Sequence, residues 1–171
     1  MMDIGGNIVL RPVELSDAET VFGALDTYRA DMRTWLPFVD TTFDAGDSLK
    51  YIRSVLSSGE EVFAVEYDGA FCGVAGFRDT DRRESKTEIG YWLIPPFRGR
   101  GIMRRCVRAL CDYAFGSMGM ERVLIKCAVK NLKSAAIPAS LGFAMKGIEP
   151  RGELLVSGWT DLTVWELERE P

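Results

Sequence analysis

Glu88-Ile-Gly-Tyr-Trp-Leu-Ile94-Pro-Pro-Phe-Arg98-Gly-Arg-Gly101-Ile-Met-Arg-Arg105 decides the fold, because it passes from an apolar strand through a basic glycine turn into a helix. Pro95 and Pro96 cannot continue a sheet ladder and end the strand before the turn. Gly99 and Gly101 lack Cβ, so the backbone there can take left-handed φ and approach a ligand closely. The free N–H groups of the helix start face the same point, with Arg98 and Arg100 adding positive charge. These residues make a cradle for phosphate. Taken alone, Arg98 to Gly101 reads equally as a tight turn with solvated arginines. The stretch has neither the Lys-Ser/Thr that closes a Walker loop nor the dinucleotide pattern Gly-x-Gly-x-x-Gly. An RNA-binding Arg-Gly tract is repetitive and disordered, whereas this turn is single and flanked by periodic apolar sequence.

Arg98-Gly-Arg-Gly-Ile resembles the acetyl-coenzyme A signature of the GNAT acetyltransferase superfamily, Gln/Arg-x-x-Gly-x-Gly/Ala, with Met103 in place of the final Gly or Ala. The same departure marks the RimJ/RimL branch, which acetylates ribosomal-protein N-termini and whose turn commonly ends Gly-Ile-Met. A second block, Asn131-Leu-Lys-Ser134-Ala-Ala-Ile-Pro138-Ala-Ser-Leu141-Gly142-Phe143, resembles the Asn-x-x-Ser, Ile-Pro and Leu-Gly-Phe elements of that branch. Trp35-Leu-Pro-Phe-Val-Asp40 is similar to the Trp-Leu-Pro stretch that the family places beside the acceptor. Together these echoes span Arg11 to Leu167. On its own chemistry Asn131 caps the following helix, Leu141 packs its inner face and Gly142 supplies a left-handed stop.

At 171 residues the chain suits one domain, 1–171. A hydrophobic content of 47% with 27% charged residues is that of a globular protein. No apolar run reaches membrane-spanning length, and the first residues lack a basic start followed by an apolar core, so the expected place is the cytoplasm, without a membrane partner. Cys72, Cys106, Cys111 and Cys127 form no Cys-x-x-Cys pair and there is no histidine, which argues against a metal and for buried thiols in a reducing compartment. A net charge of −4 argues against DNA binding, while Arg98, Arg100, Arg104, Arg105 and Arg108 concentrate positive charge suited to a ligand with several phosphates.

Ile8–Pro12 reads as a strand, and Ser16 with Glu19 as a capping box opening a helix through Val21, Phe22, Leu25 and Tyr28. Asp44 or Asp47 caps a second helix with Leu49, Ile52, Val55 and Leu56 on one face, ended by Gly59. Val62–Tyr67 and Phe71–Phe77 alternate with period two around Asp68-Gly69, a hairpin signal. A polar loop from Asp79 to Lys86 leads to the strand ending in Ile94. After the glycine turn, Met103, Val107, Leu110 and Ala114 face inward along the next helix. A strand from Arg122 to Val129, a helix over 131–141 and two strands around Gly158 complete the order. This implies an α/β (α+β) protein whose mixed sheet carries helices on both faces. The resemblance adds that the sheet is mostly antiparallel, with a splayed strand pair holding acetyl-CoA.

What the resemblance implies chemically is N-acetyl transfer from acetyl-CoA to a primary amine, above all a protein N-terminal α-amino group. Without histidine, a carboxylate or ordered water must deprotonate the amine. An α-amino group, with pKa about 7.7–8.0, needs a weaker base than lysine at about 10.4. Counting from Ser134, Glu153 falls where the RimL type carries its catalytic glutamate; Glu88, on the splayed strand, is the other candidate base, and both also read as ordinary strand glutamates. Ser134 is placed to stabilise the leaving thiolate or relay a proton. Trp92, Leu93 and Ile94 offer backbone groups to the pantetheine and thioester, Arg98 to Met103 hold the phosphates, and Asn131 completes the coenzyme site. Trp35 and Trp92 belong to the acceptor side or to the core. Two other readings stay open: a small-amine acceptor such as a polyamine or amino-sugar antibiotic, and a catalytically idle coenzyme A-binding module. Monomer and homodimer are equally compatible with the sequence.

Overall fold

The computed structural model describes residues 1–170 and contains strands β1 (Met2–Asp3), β2 (Ile8–Pro12), β3 (Val62–Tyr67), β4 (Ala70–Asp81), β5 (Lys86–Leu93), β6 (Arg122–Ala128), β7 (Ala144–Leu155) and β8 (Gly158–Glu168). Its α-helices are α1 (Ala18–Thr27), α2 (Arg29–Met32), α3 (Ala45–Ser58), α4 (Ile102–Gly116) and α5 (Leu132–Ser140). The strands form one sheet in the order β1-β2-β3-β4-β5-β6-β8-β7. Every neighbouring pair is antiparallel except β5 and β6. A parallel pair needs a long crossover, and α4 supplies it.

Both faces of the sheet are covered, and β3 records this in its sequence. Phe63 and Val65 enter the core under α4 with Phe77, Ile89, Cys106 and Leu110, whereas Val62 and Ala64 enter the core under α1 and α3 with Val21, Leu25 and Ile52. Burial on both faces is why Val62-Phe-Ala-Val65 is continuously apolar. All four cysteines are buried and free, Cys106 and Cys111 within α4 and Cys72 and Cys127 on strands. Among the described residues no helix is long and apolar enough to cross a membrane.

Local signals act largely as expected. Asp68 and Gly69 take φ of 51° and 76°, as a two-residue primed turn demands. Asp44 caps α3 by accepting from the Asp47 N–H at 3.0 Å, and Gly59 ends that helix at φ 76°. The buried stripe of α3 runs through Ser48, Ile52 and Val55, which leaves Leu56 exposed rather than inward. The loop expected from Asp79 is shorter, because β4 continues to Asp81, whose carboxylate accepts from the Arg83 and Glu84 N–H groups to close a tight turn.

The capping box sits elsewhere than the spacing of Ser16 and Glu19 implies. It is formed by Glu14 and Asp17, and the chain enters α1 through a 3-10 turn over Leu15–Asp17. The reason is tertiary. Asp17 is buried, accepts from the Glu14 N–H at 2.7 Å, and takes both terminal nitrogens of Arg11 on β2 at 2.7 and 3.0 Å. Burial pushes the Asp17 carboxyl up, but the hydrogen bonds from Arg11 and the Glu14 N–H outweigh it and hold the group below its ordinary value. A depressed folded-state pKa stabilises the protein above the unfolded value of about 3.9 and loses that effect as pH falls through the folded value. Asp17→Asn is therefore expected to cost about 2 kcal/mol at neutral pH, with the gap to wild type narrowing below pH about 4 in denaturant titrations.

Candidate functional site

The site begins where the sheet comes apart. β5 and β6 pair only from Lys86 opposite Arg122 to Glu88 opposite Leu124. Beyond that point β5 stays with β4 as far as Leu93 opposite Gly73, and β6 stays with β8 as far as Ala128 opposite Leu162. The halves of the sheet diverge and an opening separates them. A Cβ at Gly73 would lie 2.1 Å from the Trp92 carbonyl oxygen, so β5 can take this path only beside a glycine. The Ile94 N–H donates to the Cys72 carbonyl at 2.9 Å, on the β4 side. Strand alternation therefore turns the main-chain groups of Leu93 and Tyr91 toward the opening.

At the end of β5 the chain makes a 3-10 turn over Pro95–Phe97 and reaches α4 through Gly99 and Gly101, at φ 75° and 72°. Gly101 caps α4, no side chain bonds to the helix start, and a Cβ on either glycine would meet nothing within 4 Å. The first N–H groups of α4 thus border open space, a surface onto which an anion can settle. Ile102 and Met103 bury their side chains in the core, which fixes the direction of that first turn.

The arginines divide their tasks. Arg98 turns away from the helix start: its Nε donates to the Leu93 carbonyl at 2.8 Å and its terminal nitrogens reach Asp31 and the Met32 sulfur. Arg104 donates to Ser140 Oγ at 3.1 Å, and Arg105 to the Ile4 carbonyl at 3.1 Å. Arg100 stacks over the Phe97 ring at 5.5 Å, and Arg108 is exposed.

Across the opening lies Ser134, in the first turn of α5. Asn131 caps that helix, its Oδ1 accepting from the Ser134 N–H at 3.3 Å, and Gly142 at φ 85° follows its end. Ser134 Oγ is 3.3 Å from the Tyr91 hydroxyl on β5 and 3.4 Å from Cys127 Sγ on β6, so it bridges the two diverging strands. Burial pushes the Tyr91 phenol well above its ordinary value and raises the Cys127 thiol. Tyr91 was not legible as a site residue; an aromatic within an apolar strand carries no sequence signal of a polar task.

The two candidate bases stand in contrasting surroundings. Glu88 is buried and ion-paired with Arg78, whose Nε donates at 2.8 Å, and Lys126 Nζ lies 3.8 Å away. Lys126 also pairs with Glu149 at 2.9 Å. Glu153, on β7 opposite Thr160, is half-buried and makes no such bond. Desolvation pushes its carboxyl up; Arg78 opposes this by charge and Glu88 adds to it. Trp35 packs over Ala128 and Leu155, at the ends of β6 and β7, and over Leu162 within β8. Trp92 instead packs with Phe71 in the core under α1 and α3, on the face opposite Tyr91. The described residues hold no cluster of three or more His, Cys, Asp or Glu able to bind a metal.

A family model described as an acetyltransferase (GNAT) domain matches residues 7–144. The chain is 31% identical over 163 residues to YdaF of Bacillus subtilis (strain 168), a candidate ribosomal N-acetyltransferase, covering 91% of this chain and 87% of that protein. It is 26% identical over 152 residues to spermidine N(1)-acetyltransferase of Escherichia coli (strain K12), covering 89% and 80%. Its fold superposes on RimL, a ribosomal alpha-N-protein acetyltransferase in complex with coenzyme A, with a TM-score of 0.92 at 20% identity over 97% of this chain and 96% of that one.

Proposed function

The chain belongs to the GNAT acetyltransferase family and is an acetyl-CoA-dependent N-acetyltransferase, and from that premise we propose that its acceptor is a protein N-terminal α-amino group, with Glu153 as base and Ser134 beside the leaving sulfur. The observation that carries this reading is the uneven treatment of three carboxylates. Arg78 and Lys126 hold Glu88 and Glu149, and Glu153 alone is left to take a proton. A single unpaired carboxylate suits one ammonium group, whereas the further charges of a polyamine would meet Arg78 and Lys126. Likeness to ribosomal acetyltransferases supports the same acceptor. The likeness to spermidine N(1)-acetyltransferase favours a polyamine as the second reading.

In this mechanism the coenzyme supplies the acetyl group as a thioester. The N–H groups of Gly101, Ile102 and Met103 receive its phosphates, with Arg100 adding charge from solvent, while the Tyr91 and Leu93 backbone lines the pantetheine path and Ile94 closes it. Arg98 acts through the Leu93 carbonyl that it holds, and Asn131 through the helix turn that it caps. Glu153, its carboxyl pushed up by burial, is better matched to an α-amino group than an ordinary surface glutamate. Ser134 Oγ stabilises the negative charge on the departing sulfur. Trp35 walls the acceptor side, and Trp92 keeps β5 in place from the opposite face. Residues 1–171 act as a single domain, as monomer or homodimer, and four buried free thiols favour a cytoplasmic setting.

Gly101→Val is expected to abolish coenzyme A binding in calorimetry while the protein stays folded, because a β-branched residue is strained at φ 72° and its side chain fills the cradle. Arg100→Ala should weaken binding less, since its charge is exposed and screened. Equal affinity in wild type and a folded Gly101→Val protein contradicts the cradle.

Glu153→Gln should lower kcat/KM for an N-terminal peptide on the order of a hundredfold near neutral pH, and the loss should shrink as pH rises and free amine accumulates. Ser134→Ala should lower kcat without changing coenzyme affinity. A pH-dependent loss in Glu88→Gln but not in Glu153→Gln would move the base to β5. A higher kcat/KM for spermidine than for any N-terminal peptide would establish the polyamine reading instead.

A further inference from the structure

Tyr91 donates its hydroxyl proton to the Ser134 carbonyl at 3.0 Å. That carbonyl is available for a sequence reason: its helical donor would be the N–H of residue 138, four positions on, and residue 138 is proline. A phenol has one proton to give. With that proton on the carbonyl, the 3.3 Å contact between the Tyr91 oxygen and Ser134 Oγ has only one direction left, Ser134 donating and Tyr91 accepting. Cys127 Sγ, 3.4 Å from Ser134 Oγ, then supplies its S–H to the serine oxygen. The string runs one way, from Cys127 through Ser134 and Tyr91 back to the main chain of Ser134.

We infer that Pro138 and Tyr91 are positioning residues for Ser134: the proline frees the Ser134 carbonyl, the carbonyl anchors the Tyr91 phenol, and the anchored phenol oxygen holds the Ser134 hydroxyl in a single rotamer at the opening between β5 and β6. This rests on the assignment of Ser134 to the leaving sulfur. The arrangement is costly to leave incomplete, because Ser134 is part-buried and the buried Pro138 has no N–H to give its carbonyl. Burial keeps the Tyr91 phenol protonated throughout the working pH range, so it acts as a hydrogen-bonding post and not as an acid. During transfer the Ser134 hydroxyl turns its hydrogen bond from the phenol to the departing thiolate and turns back afterwards, its O–H bond unbroken and Tyr91 unchanged.

Two variants test this from opposite ends. Tyr91→Phe removes the post, and Pro138→Ala returns an N–H that competes with the phenol for the Ser134 carbonyl; alanine is a better helix former, so this second variant keeps the helix intact. Each should lower kcat about tenfold, the equivalent of one hydrogen bond, with KM for acetyl-CoA within about twofold of wild type and the loss constant from pH about 6 to 9. In the Ser134→Ala background both should change kcat by less than about twofold, since they act only through that hydroxyl. Equal losses with and without Ser134 would overturn the inference, as would a Tyr91→Phe loss that disappears on one side of the pH range. If Ser134→Ala itself leaves kcat unchanged, the role of Ser134 fails; thermal unfolding of the same single and double variants then still decides the hydrogen bond, coupled destabilisation supporting it and strict additivity refuting it.

Discussion

Everything distinctive about this molecule follows from the short parallel pairing of β5 with β6, which stops at Glu88 and Leu124. A parallel pair requires the α4 crossover, and its early end leaves that crossover starting beside an open edge of main chain. Had the two strands stayed together, the Tyr91 and Leu93 amides would be bound within the sheet and the start of α4 would face a closed surface. Gly73 is the quiet condition of this geometry, since a methyl group there would collide with the Trp92 carbonyl. The opening is then bridged by one side chain, Ser134, touching a strand on each side.

Charge is distributed around the opening with similar economy. Arg98, Arg104 and Arg105 each reach a separate element, α2, α5 and the N-terminal loop, so the basic turn fastens its neighbours while its main chain stays clear. The acidic side is handled in the opposite way: two glutamates are neutralised by Arg78 and Lys126, and Glu153 is raised by burial instead of being paired. The chemistry expected here needs one group poised to accept a proton, and neutralising its neighbours leaves Glu153 distinct from them.

What the sequence made legible is what is local. The glycine turn at Gly99 and Gly101, the Asp68-Gly69 hairpin, the Asn131 cap and the stops at Gly59 and Gly142 each depend on residues within a few positions of one another and stand as read, and of the two caps open for α3 the structure takes Asp44. The resemblance carried the reading further, to the sheet and the enzyme class. The misreadings are tertiary. Ser16 had the spacing of a cap but Asp17 had Arg11 on the preceding strand, and a buried charge-assisted pair outweighs a surface cap. Arg98, read as part of the phosphate turn, also reaches Asp31, far along the chain, a contact that no local pattern announces. Tyr91 gave no sign at all, because its partner is a carbonyl left vacant by a proline on another element.

The central claim is that the diverging edge of β5 and the start of α4 form one continuous surface for the coenzyme. Amide hydrogen exchange, resolved by residue with and without coenzyme A, tests it most directly. The account predicts slowed exchange at the Tyr91, Leu93, Ile102 and Met103 N–H groups together, and little change along β1 and β2 on the far side of the sheet. Unaltered exchange at these four amides in a sample saturated with coenzyme A would contradict it.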